Sequence, residues 1–194
     1  MTGLEFVLTL APILLAPGTS TLLVSAEALR GAGSIAQVIA GDLSANAGQI
    51  LVVGGLLATL GEIGSPAFFG ALKWIGVIYL VGLAATRLVG RRAAVPRVPP
   101  GLAFLRGFLV SASNPKALVF LFGLFPAFLE PARPLVPQLA LLGGLYLALD
   151  GLCLAGYALA SRRLATASVR MPARRIDRLA GGMLLLAGVL LAAK

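Results

Sequence analysis

Six apolar runs, each near the roughly 20 residues that an α-helix needs to cross a bilayer, constrain this chain more than any other feature. They lie at 3–26, 34–60, 66–89, 102–129, 135–161 and 179–193. In hydrocarbon every backbone N–H and C=O must be satisfied within the protein, so runs of this kind form helices. The expected fold is an all-α integral membrane protein with six transmembrane helices in a single membrane domain over 1–194. Composition agrees, since 59% of the 194 residues are hydrophobic and 12% charged, too apolar for one soluble core of this length. The 24 glycines and 12 prolines fit spans, where small residues let helices approach closely. Glu5 replaces the basic start of a signal peptide and the first run is too long for one, so that run is read as a retained helix.

Charge sets the expected orientation. A net charge of +9 would suggest nucleic acid for a soluble protein, but here the arginines gather between apolar runs. Arg87, Arg91, Arg92, Arg97 and Arg106 flank the third connection. Arg162, Arg163, Arg170, Arg174, Arg175 and Arg178 occupy the fifth. Both connections are therefore read as cytoplasmic, with Arg30 on the same side and Lys73, Arg133 and Lys194 opposite. Both termini then face out of a bacterial cytoplasmic (inner) membrane. The arginines are read as solvated anchors at the lipid surface. Glu5, Glu27, Glu62 and Glu130, at the ends of runs, are read as surface groups.

Two runs are interrupted in their middles, at Ala16-Pro17-Gly18-Thr19 and at Ser113-Asn114-Pro115-Lys116. Proline lacks the backbone donor and clashes with the preceding turn, so each break frees groups that only protein or a polar cavity can satisfy. Three runs precede the basic connection 91–101 and three follow it. The halves 1–90 and 102–194, if alike, are therefore inverted with respect to each other, as in many transporters that carry matched breaks. At 1.5 Å per residue Pro17 lies about 21 Å and Asp150 about 22 Å from one face, with Asp42 about 12 Å and Asn114 about 15 to 18 Å from the other. Across a core of roughly 30 Å all four fall near the middle.

The residues at that depth suit a small zwitterion. After each proline a half-helix begins, and its free N–H groups and positive dipole end favour a carboxylate. Asn114 fits an N-cap, Pro115 the first helical position, and Lys116 adds a full charge. Thr19 and Ser20 offer hydroxyls at the other start. Asp42, Asn46 and Gln49 share one helical face, while Asp150 stands isolated in Leu149-Asp150-Gly151. Carboxylates within a membrane are costly unless paired or protonated, which assigns them to proton coupling, to a substrate amino group, or to a static pair with Lys116. The expected substrate-binding set is Pro17, Gly18, Thr19, Ser20, Asn46, Asn114, Pro115 and Lys116, and the proton-coupling pair is Asp42 and Asp150. The single cysteine, Cys153, and the absence of histidine exclude disulfide frameworks, His-dependent metal sites and His triads.

Taken together these motifs resemble the LysE/RhtB family of amino-acid exporters. Pro17-Gly18-Thr19 is similar to the family's Pro-Gly-Pro, and Gly41-Asp42 to its Gly-Asp. Leu72-Lys73-Trp74-Ile75-Gly76 with Tyr79-Leu80, and Gly107-Phe108 through Asn114-Pro115-Lys116, match its third and fourth helices. Phe125-Pro126-Ala127-Phe128, Asp150 and Gly181-Gly182 also fit. The resemblance implies export of an amino acid or related small metabolite by proton antiport, with no cofactor and no nucleic acid. Thr19 departs from the family's second proline, adding a hydroxyl and freeing a donor where substrate would bind.

Other readings remain at this stage. One is export of a different small metabolite or ion within the same superfamily. Another is an intramembrane aspartyl protease built on Asp42 and Asp150, although Ile39-Ala40-Gly41-Asp42 lacks that class's Gly-x-Gly-Asp. A third is an interaction protein without transport. Small-residue faces such as Gly143-Gly144 permit a homodimer.

Overall fold

The computed structural model describes residues 3–30, 34–61, 66–89, 101–130, 133–166 and 173–193. Glu62 and most of the connection 91–101 lie outside these residues, as do the side chains of Pro115 and Lys116. The described residues form eight helices, α1 (Gly3–Leu15), α2 (Thr19–Arg30), α3 (Ile35–Gly61), α4 (Pro66–Leu88), α5 (Ala103–Ala112), α6 (Pro115–Phe128), α7 (Leu135–Thr166) and α8 (Ala173–Ala192). The protein is an all-α membrane protein. By length and apolar composition α3 and α7 can each cross a membrane, and α1 with α2 makes a third candidate span bent by 58° at the break.

Both expected interruptions are present. α1 stops at Leu15 and α2 starts at Thr19, while α5 stops at Ala112 and α6 starts at Pro115. Gly18 takes the N-cap position of α2, and Thr21 locks it from three residues on. The Gly18 N–H donates to Thr21 Oγ1 at 2.7 Å and that hydroxyl returns its proton to the Gly18 carbonyl at 3.0 Å. This is one half of a capping box, the N3 side chain reaching back to the N-cap N–H, with threonine in the acidic residue's place.

The helix ends run further into the basic connections than the apolar pattern indicates. α2 continues through Glu27 to Arg30, where a turn at 27–33 is expected, and α8 begins at Ala173 within the expected loop. Arginine, glutamate and alanine favour helix and tolerate the polar margin of a membrane, so hydropathy underestimates these helices.

The reading of Glu27 as a surface group is corrected by the same extension. Glu27 is buried, forms an ion pair with Arg106 of α5, and accepts a hydrogen bond from Ser34 Oγ at 2.8 Å. Arg106, expected among the solvated anchors, has a side chain only 11% exposed. Arg162 Nε adds a bond to the Ala28 carbonyl at 3.4 Å, so the ends of α2 and α7 and the start of α5 meet at one arginine-rich end of the bundle. Glu130 does stay near the surface, paired with Arg133 at 2.7 Å.

Two apolar clusters hold the bundle. The larger joins α1, α3, α4, α6, α7 and α8, and Phe6 packs against Phe125 and edge-on against Phe128 with ring centres 6.2 and 5.3 Å apart. The smaller joins α2, α3, α5 and α7 through Leu23, Val24, Val38, Val110 and Leu154. α3 and α5 touch backbone to backbone. A Cβ on Gly41 would overlap the Phe104 carbonyl oxygen, and one on Gly107 would overlap that of Val38. Such contact needs residues without side chains, and it seats Asp42, next to Gly41, against the break that follows α5. Gly143, expected on a dimer face, packs on Ile50 within the chain, whereas Gly144 meets nothing.

Gly107→Ala should therefore lower stability by about 3 kcal/mol, the upper end of overpacking costs, because backbone must move. Gly82→Ala, where an added Cβ meets no atom within 4 Å, should leave stability unchanged or raise it by up to about 1 kcal/mol. Unfolding in detergent micelles measures both, and equal behaviour of the two variants would contradict the close approach.

Candidate functional site

Each break leaves carbonyls at the end of one half-helix without the amides that would continue it. At the first break they are met from α7. Cys153 Sγ donates to the Leu14 carbonyl at 3.1 Å and Tyr157 OH to that of Leu15 at 2.7 Å. At the second break they are met from α3, where Gln49 Nε2 donates to the carbonyls of Ser111 and Ala112 at 3.2 and 3.4 Å. Asn114 N–H turns back to the Ser111 carbonyl at 2.9 Å, and the Asn114 carbonyl accepts from Ala117 at 3.1 Å. Two long helices thus hold the two breaks open, each from the opposite half of the sequence.

Between the breaks the polar faces of α3 and α7 meet. The Asn46 amide donates through Nδ2 to Asp42 Oδ2 at 3.0 Å and to Asp150 Oδ2 at 2.8 Å. Its Oδ1 accepts from Ser111 Oγ at 3.0 Å, which fixes the amide's orientation. Asp42, Asn46 and Asp150 are 2%, 3% and 8% exposed. The hydroxyls of Ser20 and Ser111 and the carboxyl of Asp150 surround the Asp42 carboxyl, whose Oδ1 is buried and bonded to no described residue. One neutral amide stands between two carboxyls, and two ionised carboxylates this close repel strongly in a low-dielectric interior. The group is therefore suited to take up a cation, whether a proton or an ammonium.

A cavity of about 40 Å³ lies over this network. Its wall contains Gly18, Ser20 and Thr21 from the start of α2, Asn114 and Ala117 from the start of α6, and Asp42, Asn46, Ser111, Tyr146 and Asp150. The structure thus brings together six of the ten residues expected from sequence: Gly18, Ser20, Asn46, Asn114, Asp42 and Asp150. Pro17 and Thr19 flank the cavity without lining it, and the Thr19 hydroxyl is buried with no partner among the described residues. Pro115 and Lys116 begin α6, and the expected static pair of an aspartate with Lys116 falls on a side chain outside the described residues. At ~10–15 Å³ per water centre the cavity holds a few waters, so a larger ligand requires the surrounding helices to part.

The sequence reading missed Thr21, Ser111, Tyr146, Cys153 and Tyr157. A signal was available, because Asp150 is not isolated. Tyr146, Asp150, Cys153 and Tyr157 recur at helical spacing and form a stripe on α7 that matches Asp42, Asn46 and Gln49 on α3.

Broken helices around buried carboxyls, in an all-α membrane bundle, define a membrane translocator. The LysE type translocator profile matches residues 11–194, and the chain belongs to that family. It is a transporter and not an enzyme, which removes the protease reading. The chain is 30% identical over 195 residues to a homoserine/homoserine lactone efflux protein of Salmonella typhi, covering 96% of this chain and 94% of that one. It is also 30% identical to an uncharacterized membrane protein of Vibrio cholerae, over 97% and 95% of the two chains. A leucine efflux protein of Salmonella choleraesuis is 30% identical over 129 residues, 63% of this chain and 60% of that one. No solved structure matches the chain.

Gln49→Leu should cost about 1–3 kcal/mol of stability, because the Ala112 carbonyl loses its side-chain donor and the Ser111 carbonyl keeps only the Asn114 N–H. Tyr157→Phe removes a single bond at a more exposed position and should cost about 0.5–1.5 kcal/mol. Thermal unfolding of the purified variants checks the order, which reverses if the breaks are packing kinks that need no donor.

Proposed function

We propose that this chain exports an amino acid or a related small zwitterionic metabolite by proton antiport. The observation that carries the reading is the Asp42–Asn46–Asp150 bridge, set in a cavity between the starts of two half-helices. The substrate carboxylate would meet the N-termini of α2 and α6, with Ser20, Asn114 and Lys116 beside it. The ammonium would meet Asp42 and Asp150, the groups that bind protons in the other half of the cycle. Competition between ammonium and proton for the same two carboxyls couples the flows. The names of the relatives, homoserine and leucine efflux proteins, support an amino-acid cargo. Thr19, Pro17 and Pro115 act through the shape of the breaks.

In this reading six spans form two inverted halves, 1–90 and 102–194, joined by 91–101. The halves are made by α1–α2, α3 and α4, and by α5–α6, α7 and α8. The crossed support of each break by the long helix of the other half favours that arrangement. The arginine-rich end is cytoplasmic, the termini are external, and the membrane is the bacterial inner membrane. A homodimer remains compatible with the face at Gly144.

Proteoliposomes loaded with labelled leucine or homoserine and diluted into more acidic buffer test the coupling. Protons entering down their gradient should speed the cargo's exit. Asp42→Asn and Asp150→Asn should each lose that acceleration, by roughly tenfold or more, equivalent to at least ~1.4 kcal/mol. The sign follows from antiport, in which low external pH protonates the site when it faces out and releases the cargo. Efflux unaffected by the gradient would refute coupling, and efflux of neither amino acid would redirect the search for cargo.

A further inference from the structure

Where α4 ends and α8 begins there is a second polar cavity, of about 280 Å³, with no part in the site between the breaks. Its wall consists of Arg87, Leu88, Val89, Arg174, Asp177 and Arg178. Arg87 is 5% exposed and lines the cavity from the end of α4. Burying an arginine side chain is costly unless its guanidinium meets an anion. Arg174 and Arg178 stand on the first turns of α8, exposed and lining the cavity. The helix N-terminus itself adds partial positive charge. Asp177 is the one acid among the described residues of the wall, whose charges sum to +2.

The rim has the opposite character. Leu88 and Val89 are 50% and 77% exposed and border the cavity, while Leu179 of α8 is 55% exposed beside it. Gly181 holds the two helices together below, since a Cβ there would come within 2.8 Å of the Leu88 side chain. The result is a cationic pocket with an apolar lip, the two surfaces that a lipid headgroup and its acyl chains require.

We propose that this cavity binds the phosphate of an anionic phospholipid headgroup, with Arg87 as the buried anchor and Arg174 and Arg178 closing over it. Basic pockets between spans at a membrane surface take such headgroups, and paired guanidinium donors match phosphate oxygens. At ~10–15 Å³ per water centre its volume is roughly that of twenty waters, enough for a phosphodiester group and too small for a whole lipid. A zwitterionic headgroup fits less well, because its own ammonium would lie against the arginines. The site goes beyond the transport reading and stands without it.

The full-length protein, purified in a neutral detergent, is titrated with phosphatidylglycerol, phosphatidylcholine or inorganic phosphate. Retained lipid is read by native mass spectrometry and the thermal midpoint in parallel. Phosphatidylglycerol should be retained and raise the midpoint by several degrees, as any ligand of the folded state does, whereas phosphatidylcholine should not. Arg87→Gln should remove most of the retention. Arg174→Gln/Arg178→Gln, at exposed positions, should weaken it severalfold and keeps the test open if the Arg87 variant misfolds. Arg163→Gln, an exposed arginine away from the cavity, should change nothing. Equal retention of both lipids, or phosphatidylglycerol retention untouched in the arginine variants, would overturn the site. Inorganic phosphate matching the lipid's shift would overturn the lipid as its source. None of these readouts depends on transport, so a failure here is separable from a failure of the antiport assay.

Discussion

Backbone polarity inside a membrane decides this structure. A helix interrupted in hydrocarbon exposes carbonyls and amides that lipid cannot bind, and a fold containing two such interruptions survives only if each is met from within. The chain meets them asymmetrically. Carbonyl ends are closed by side chains from elsewhere, with Cys153 and Tyr157 serving the first break and Gln49 the second. Amide ends are closed locally, the Gly18 N–H by the Thr21 hydroxyl and the Asn114 N–H by the Ser111 carbonyl. The cavity wall then brings the starts of α2 and α6 together with the Asp42 and Asp150 carboxyls.

The two long helices do double duty because of helical periodicity. On α3, Asp42 and Asn46 face the cavity while Gln49, a further turn along, reaches the freed carbonyls of α5. On α7, Tyr146 and Asp150 face the cavity while Cys153 and Tyr157 reach those of α1. One stripe per helix therefore fixes the shape of a break and the chemistry beside it. Altering a clamp residue shifts the half-helix that ends there, and with it the wall of the cavity.

Much of this was legible from residue types. Pro17-Gly18 and Asn114-Pro115 marked the breaks because proline's missing donor has few remedies in lipid, and Asp42 and Asp150 stood out because membrane acids are costly. Gly41 and Gly107 were visible as motif positions, but not the reason for them, since backbone contact between α3 and α5 depends on how the helices cross. Glu27 and Arg106 were misplaced for a related cause. Hydropathy treats each charge as solvated, whereas these two are brought together across 79 residues of sequence and neutralise one another. The stripe on α7 was overlooked because cysteine and tyrosine count as hydrophobic in composition, although each carries a donor that the break requires.

The cavity lies between two unequal seals. On one side Phe6, Phe125 and Phe128 belong to a cluster drawn from six helices. On the other, a smaller cluster drawn from α2, α3, α5 and α7 leads to the buried pair of Glu27 and Arg106. Separating apolar surfaces costs free energy in proportion to the area exposed, while two separated charges recover hydration once water reaches them. The second seal is thus the less costly to part. α5 is tied to α3 by glycine contacts, and α2 to α7 by Arg162, with α1 tied to α7 by Tyr157, so opening there would divide the bundle between these groups. That division would also pull Asn46 from Asp150, because the bridge runs from α3 to α7. In the proposed antiport, access from the arginine-rich end and disruption of the carboxyl bridge would be one motion, because both part α3 from α7.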